Sequence, residues 1–434
     1  MQNVRLLLLV AVVAVTASCS EQKPDFVRVE RTSFWKGDKS YHFLGTNFWY
    51  GINLASRGVG GDRERLKREL DQLQSMGVTN LRIVAGSEGP DTEPYRMVPA
   101  LQTSPGKYNE DVLDGLDYLL AEMGKRDMHA VVCLTNFWNW SGGMAQYIVW
   151  TGRADSIPYP PPHPGGDWDR YQQFTAQFYS YPEAVAMLND HITFIINRQN
   201  SYTQKLYVDD PTIMAWQLCN EPRGINNQAD YRNWIQKTSS LIKELDKNHL
   251  VTTGSEGKTS SEYSGTDPLK DHSFASIDYM TIHVWVQNWG VYDPSRPDST
   301  YEPSVFYALN YLDAHDKIAR ELGKPMVLEE FGISRDANDH DPTSPTTIRD
   351  KYYKEIFTGV LVLASNPQSS MAGSNFWAWG GEGRPSVPAA IWKAGDNFIG
   401  DPPHEAQGWY SVYNTDSTTI AVIREFAAKM NAIP

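Results

Sequence analysis

The sequence predicts an α/β fold: a single (β/α)8 TIM barrel with long loop insertions on its C-terminal face. Three observations carry that reading. Eight apolar β-type segments recur along the chain, amphipathic helical stripes separate most of them, and the longest polar or aromatic inserts follow strand ends. An open, doubly wound sheet is the alternative arrangement, and eight repeats favour closure.

At the N-terminus, Arg5 precedes an apolar run over 6–15 and then Thr16-Ala17-Ser18-Cys19. The run is too short to span a membrane and is flanked as an export signal over 1–18 should be. Small residues before a cysteine resemble a bacterial lipoprotein cleavage site. Cys19 is then the first mature residue and the lipid acceptor, residues 19–25 are a tether, and the membrane is touched only through that anchor. An ordinary secretory signal is the alternative. In either case the mature protein is expected outside the cytoplasm, with 26–434 forming one catalytic domain.

Residues 26–29 and 40–44 flank Lys36-Gly37-Asp38-Lys39, a hairpin signal suited to closing the barrel bottom. Strands are expected over 41–47, 80–85, 129–135, 212–218, 249–253, 278–284, 325–329 and 371–377. Leu66, Leu70, Leu73 and Met76 form a helical stripe that Gly77 stops. Val185, Leu188, Ile192 and Ile195 repeat it after Pro182, as do Tyr231, Trp234, Thr238, Leu241 and Leu245. Ile420, Ile423, Ala427 and Met430 close the chain. The fifth helix, around 266–276, is weak. The inserts 86–110, 136–181, 285–304 and 378–410 follow strands two, three, six and eight. A rim so crowded makes a cleft, and an open cleft suits a polymer.

The chain carries 39 basic and 52 acidic residues, a net charge of −13, which argues against a nucleic-acid partner. Many of its 14 Trp and 23 Tyr fall in loop-like stretches, where exposed rings suit flat sugar faces, while Trp and Tyr are also ordinary core residues. Cys133 and Cys219 lie in apolar strands and read as buried thiols rather than a disulfide. Neither a CxxC motif nor a Cys/His cluster calls for a metal, and no cofactor is expected. A monomer is the expected state.

Two strand-end glutamates stand out. Strand four runs through Trp216-Gln217-Leu218-Cys219-Asn220-Glu221-Pro222, and strand seven through Val327-Leu328-Glu329-Glu330-Phe331-Gly332. Catalysis in a parallel barrel is built on that rim. Glycoside cleavage needs one carboxyl group to protonate the leaving oxygen and another to act at the anomeric carbon. Glu221 fits the acid/base and Glu330 the nucleophile. A separation near 5 Å would make the enzyme retaining. Glu329, by strand alternation, is expected to face the helices.

These motifs resemble glycoside hydrolase family 5, and within it the endo-β-1,4-mannanases, over about 30–430. The carriers are Asn220-Glu221-Pro222, Glu330-Phe331-Gly332, Arg82 on strand two, His283 on strand six, Trp377 on strand eight, Gly45-Thr46-Asn47-Phe48-Trp49-Tyr50, and 136–143 with Gln146-Tyr147. The resemblance implies that Arg82 bonds the nucleophile, Asn220 donates to a sugar 2-hydroxyl, and Glu221 is kept protonated beside an ionised Glu330. It implies that His283 supports the site and that Trp377 is a stacking floor. Tyr50 and Trp138 are further cleft candidates, and Glu256 a supporting polar group. The sequence departs from the family at Trp285, where mannanases usually carry Tyr; a sugar contact is still expected there. Glu88 and Asp91 read as solvated loop charges. The implied substrate is mannan, galactomannan or glucomannan, cut internally with retention. The alternatives are another family 5 endo-β-glycanase such as a cellulase, or a glycan-binding protein without catalysis.

Overall fold

The computed structural model describes residues 25–434. The expected export signal, Cys19 and the tether up to residue 24 lie outside the described residues. Among the described residues no helix is long and apolar enough to cross a membrane.

Eight parallel strands build the barrel: β1 (Phe43–Asn47), β2 (Asn80–Val84), β3 (His129–Cys133), β4 (Ile213–Gln217), β5 (Leu250–Thr252), β6 (Met280–Val284), β7 (Met326–Phe331) and β8 (Met371–Phe376). Every residue in them is buried, as expected where helices cover the outside and side chains fill the inside. That double burial is why each strand reads as a short continuous apolar run. The ladder order is β5-β4-β3-β2-β1-β8-β7-β6. The seam between β5 and β6 is joined by hydrogen bonds outside the ladder, from Asp278 N–H to the Val251 carbonyl at 2.8 Å and from His283 N–H to the Glu256 carbonyl at 3.0 Å. The closed barrel predicted by the strand count is therefore present.

The outer layer contains α1 (Arg63–Ser75), α2 (Glu110–Gly124), α3 (Pro182–Ile196), α4 (Gln228–Leu245), α5 (Pro268–Asp271), α6 (Pro297–Leu322), α7 (Thr347–Ala364) and α8 (Ser417–Asn431). Asp62 caps α1 and Asn109 caps α2, each accepting first-turn backbone N–H groups. The fifth helix is a single turn, as its poor stripe foretold. Helical turns Gly143–Trp150 and Trp168–Thr175 stiffen the insert after β3.

The barrel bottom is plugged by a three-stranded antiparallel sheet, Val27–Glu30, Ser33–Lys36 and Lys39–Ser40. The turn at Gly37-Asp38 is where the sequence placed it, but Lys36 pairs with Lys39, so the hairpin partner is 33–36 rather than 26–29. Phe34 packs edge-on against Tyr279 at 5.2 Å, within a cluster of Phe43, Val131, Met214 and Val327. This apolar floor leaves the opposite, loop-bearing end for polar chemistry. Cys133 and Cys219 are buried and free.

Candidate active site

Glu221 and Glu330 converge above the barrel. One oxygen of each carboxylate and a ring nitrogen of His283 lie within 4.8 Å of one another. Glu330 closes β7. Glu221 follows β4 in a tight turn with φ of 50°, the left-handed region that a non-glycine residue enters at a cost of about 1 kcal/mol or more. The turn is tied down by the Glu221 N–H on the Gly254 carbonyl at 2.9 Å. Gly254 has no room for a side chain, since a Cβ there would meet the Cys219 carbonyl at 1.9 Å.

Arg82, projecting from β2, holds the nucleophile side. Its guanidinium contacts Glu330 directly, donates to Asn47 Oδ1 at 3.0 Å and Asn220 Oδ1 at 2.7 Å, and its Nε donates to Gln217 Oε1 at 2.8 Å. The rigid fork thus fixes Glu330 and Asn220 in one plane of contacts. Asn220 Nδ2 donates to Asn136 Oδ1 at 3.1 Å. The acid/base side is held by ring N–H groups. His283 Nδ1 lies 2.7 Å from Glu221 Oε1, Trp138 Nε1 donates to Oε2 at 2.6 Å, and Trp285 Nε1 donates to Oε1 at 3.3 Å. Arg223 stacks on Trp138 at 4.8 Å and makes a bidentate pair with Glu256, which also lines the cavity. Glu221, His283 and Glu330 are close enough to ligate a cation, but Arg82 already supplies the positive charge at Glu330.

The charges distribute differently from the expectation. Burial favours neutral Glu221, but the His283 ring, Arg223 and the Trp138 N–H outweigh it and hold the carboxyl down at about 2. Burial pushes Glu330 up to about 7, with His283 and Arg82 pulling the other way. Burial disfavours a charged His283, yet Glu330, Glu221 and Glu329 raise it to about 10. Both shifts favour the proton on His283 over Glu221, across a 2.7 Å hydrogen bond. His283 as a cation lowers the proton affinity of Glu330, so losing it raises that affinity. His283→Ala is expected to move the acid limb of kcat/KM to higher pH; an unmoved limb would remove His283 from the charge balance.

Glu329 does not face the helices. Its Oε2 accepts from Gln217 Nε2 at 2.6 Å and lies 3.6 Å from both Arg82 Nε and His283 Nε2, below the site. A register shift is the reason. Ile282 pairs with Leu328 but His283 pairs with Glu330, so Glu329 is skipped and alternation breaks. Tyr50 is not a cleft residue either. The chain leaves β1 for a helical turn, Gly51–Leu54, and Tyr50 packs flat on Phe398 with its hydroxyl bonded to Glu69 and the Trp379 carbonyl. Glu88 is buried rather than solvated. It accepts from Gly143 N–H at 2.7 Å, and burial pushes it up to about 7. Asp91 is exposed, as expected.

A cavity of about 730 Å3 opens over the glutamates. Trp138, Trp285 and Trp377 line it together with Asn220, Glu221 and Glu330, so these predicted residues meet in one place. Trp377 packs edge-on against Trp285 at 5.8 Å. Trp377→Ala is expected to lower kcat/KM on manno-oligosaccharides about tenfold through lost stacking; unchanged constants would end that assignment. The sequence reading missed Trp168, His404, Glu405 and Trp409, which also line the cavity. They sit in loops without periodicity, and only the fold brings them there. Rather than leaving a groove open on that side, the inserts meet: the Trp168 and His404 rings are 6.1 Å apart. Pro162 and Ile391 line both this cavity and an adjoining hollow of about 510 Å3.

The family model described as GH family 5 beta-mannosidase-like matches residues 24–434. A glycoside hydrolase family 5 mannosidase from Rhizomucor miehei is similar at 41% identity and a TM-score of 0.87, covering 94% of this chain and 98% of that one. The endo-1,4-beta-D-mannanase of Thermotoga petrophila RKU-1 is similar at 27% identity and a TM-score of 0.67, covering 89% and 99%. Mannan endo-1,4-beta-mannosidase 5 of Solanum lycopersicum is 31% identical over 369 residues, 81% of this chain and 80% of the relative. Together with the two glutamates that converge on the barrel rim, these matches show that the chain is a glycoside hydrolase and belongs to the β-mannosidase-like group of family 5.

Proposed function

We propose that this enzyme hydrolyses β-1,4-mannosidic bonds with retention, removing mannosyl units from the ends of mannan-derived chains. The approach of Glu221 and Glu330 to within 4.8 Å carries the retaining part, because no room is left for a water between them and the sugar. Glu330 attacks the anomeric carbon while the proton held between His283 and Glu221 passes to the leaving oxygen. Arg82 steadies the ionised nucleophile, and Trp377 supports the sugar ring. With Glu330 esterified, its charge is gone, and Glu221 takes a proton from water as the intermediate is released.

The meeting of Trp168 with His404 at the cavity wall favours a chain end over the middle of a polymer. The higher similarity to a mannosidase than to a mannanase supports the same choice. The second reading is internal cleavage of mannan, galactomannan or glucomannan, supported by the name of the tomato relative. Early products from mannohexaose decide: mannose with mannopentaose supports end cleavage, whereas a spread of di-, tri- and tetrasaccharides overturns it. Carboxymethylcellulose alongside tests the glucan alternative. Export, with a lipid on Cys19, completes the proposal; it places the enzyme where such chains are met.

A further inference from the structure

The wall that encloses the cavity is built from a segment with little secondary structure, and one buried carboxylate holds it. Asp401 is 1% exposed. Its side chain accepts from Gly408 N–H at 2.9 Å, Tyr410 N–H at 2.6 Å and Ser411 Oγ at 2.5 Å. The chain between these points, 402–407, carries His404 and Glu405 into the cavity wall, and Trp409 follows directly. Gln407 closes the loop from within, its Nε2 donating to the carbonyls of Asp401, Pro402 and Glu405 at 3.1, 3.0 and 3.2 Å. The loop is pinned to the adjoining wall by paired backbone bonds of Gln407 with Ala389 and Ala390, both at 2.9 Å.

We propose that Asp401 is a positioning residue for bond selection: by folding 402–411 into a rigid stop, it makes the enzyme cut at chain ends. Asp401 contacts neither glutamate and is not among the residues lining the cavity. An ionised carboxylate is acceptor-only, which suits three converging donors. An asparagine would turn its NH2 toward at least one donor and leave the loop held by fewer bonds. The chemistry at Glu221 and Glu330 would be kept while the stop loosened.

This inference rests on the chain-end reading, and the experiment separates the two. Full-length wild type, Asp401→Asn and Gln407→Ala are compared for mannohexaose products, p-nitrophenyl β-mannoside kinetics and circular dichroism. Wild type is expected to yield mannose first. Asp401→Asn is expected to raise the early share of di- and trisaccharides about tenfold, with aryl-mannoside kcat retained and KM increased. Gln407→Ala should change products in the same direction. Should Asp401→Asn fail to fold, Gln407→Ala decides alone. A folded variant with wild-type products overturns the role of Asp401. A mixed ladder from wild type overturns the chain-end reading instead.

Discussion

Glu330→Gln is expected to reduce turnover on manno-oligosaccharides by about 10⁵-fold or more, with the circular dichroism spectrum unchanged. Removing a covalent nucleophile while the rest of a site stands costs on that order. The replacement is nearly isosteric, so the contact with Arg82 keeps its shape but loses its charge. The amide cannot form the glycosyl ester, and activated aryl mannosides would not rescue it, since both substrates need the same bond to carbon. Measuring kcat on an aryl mannoside and on mannotetraose checks this directly. Activity within an order of magnitude of wild type would take the nucleophile role from Glu330.

The second large effect separates the two carboxylates. Glu221→Ala is expected to lower kcat on mannotetraose by about 10²- to 10⁴-fold, the usual worth of a positioned proton donor. An aryl mannoside with an acidic leaving group needs no donor in the first step, so its glycosyl-enzyme should accumulate as a burst. Azide should then restore turnover and give β-mannosyl azide, because it needs no base and enters the space the side chain leaves. Glu330→Gln should show neither the burst nor the rescue. If azide failed to rescue Glu221→Ala, or produced the α-azide, the assignment of roles would have to be abandoned.

The barrel was legible because strands buried on both faces must be apolar throughout, and because a helical stripe such as Leu66, Leu70 and Leu73 has its own period. Glu221 and Glu330 were legible as acids at strand ends, whereas Arg82, His283 and Trp377 were legible only through the family resemblance. Glu329 was misplaced because period-two reasoning assumes an unbroken ladder, and the shift beside Ile282 breaks it. Tyr50 was misplaced because the motif Gly45–Tyr50 suggested a place on the rim, whereas the chain turns into a helix at Gly51 and buries the ring. Glu88 looked solvated because its covers, Thr135 and Gly143, come from the end of the third strand segment and the insert that follows it. The sequence marked 378–410 as a rim insert but not how it folds back: Asp401 bonds to residues up to ten positions away in a stretch that shows neither period.

The skipped residue in the β6–β7 pairing has a further meaning for how this site can change over time. A perfectly regular β7 would turn one of its two adjacent acids outward, against greasy helices, where it would have no counter-ion. The irregularity lets a single strand furnish both a reacting acid at the mouth and an anchoring one in the basement, wired through the same arginine and imidazole. Any insertion, deletion or straightening there would evict one of them and unbalance the other, so geometry constrains this short segment as much as chemistry does.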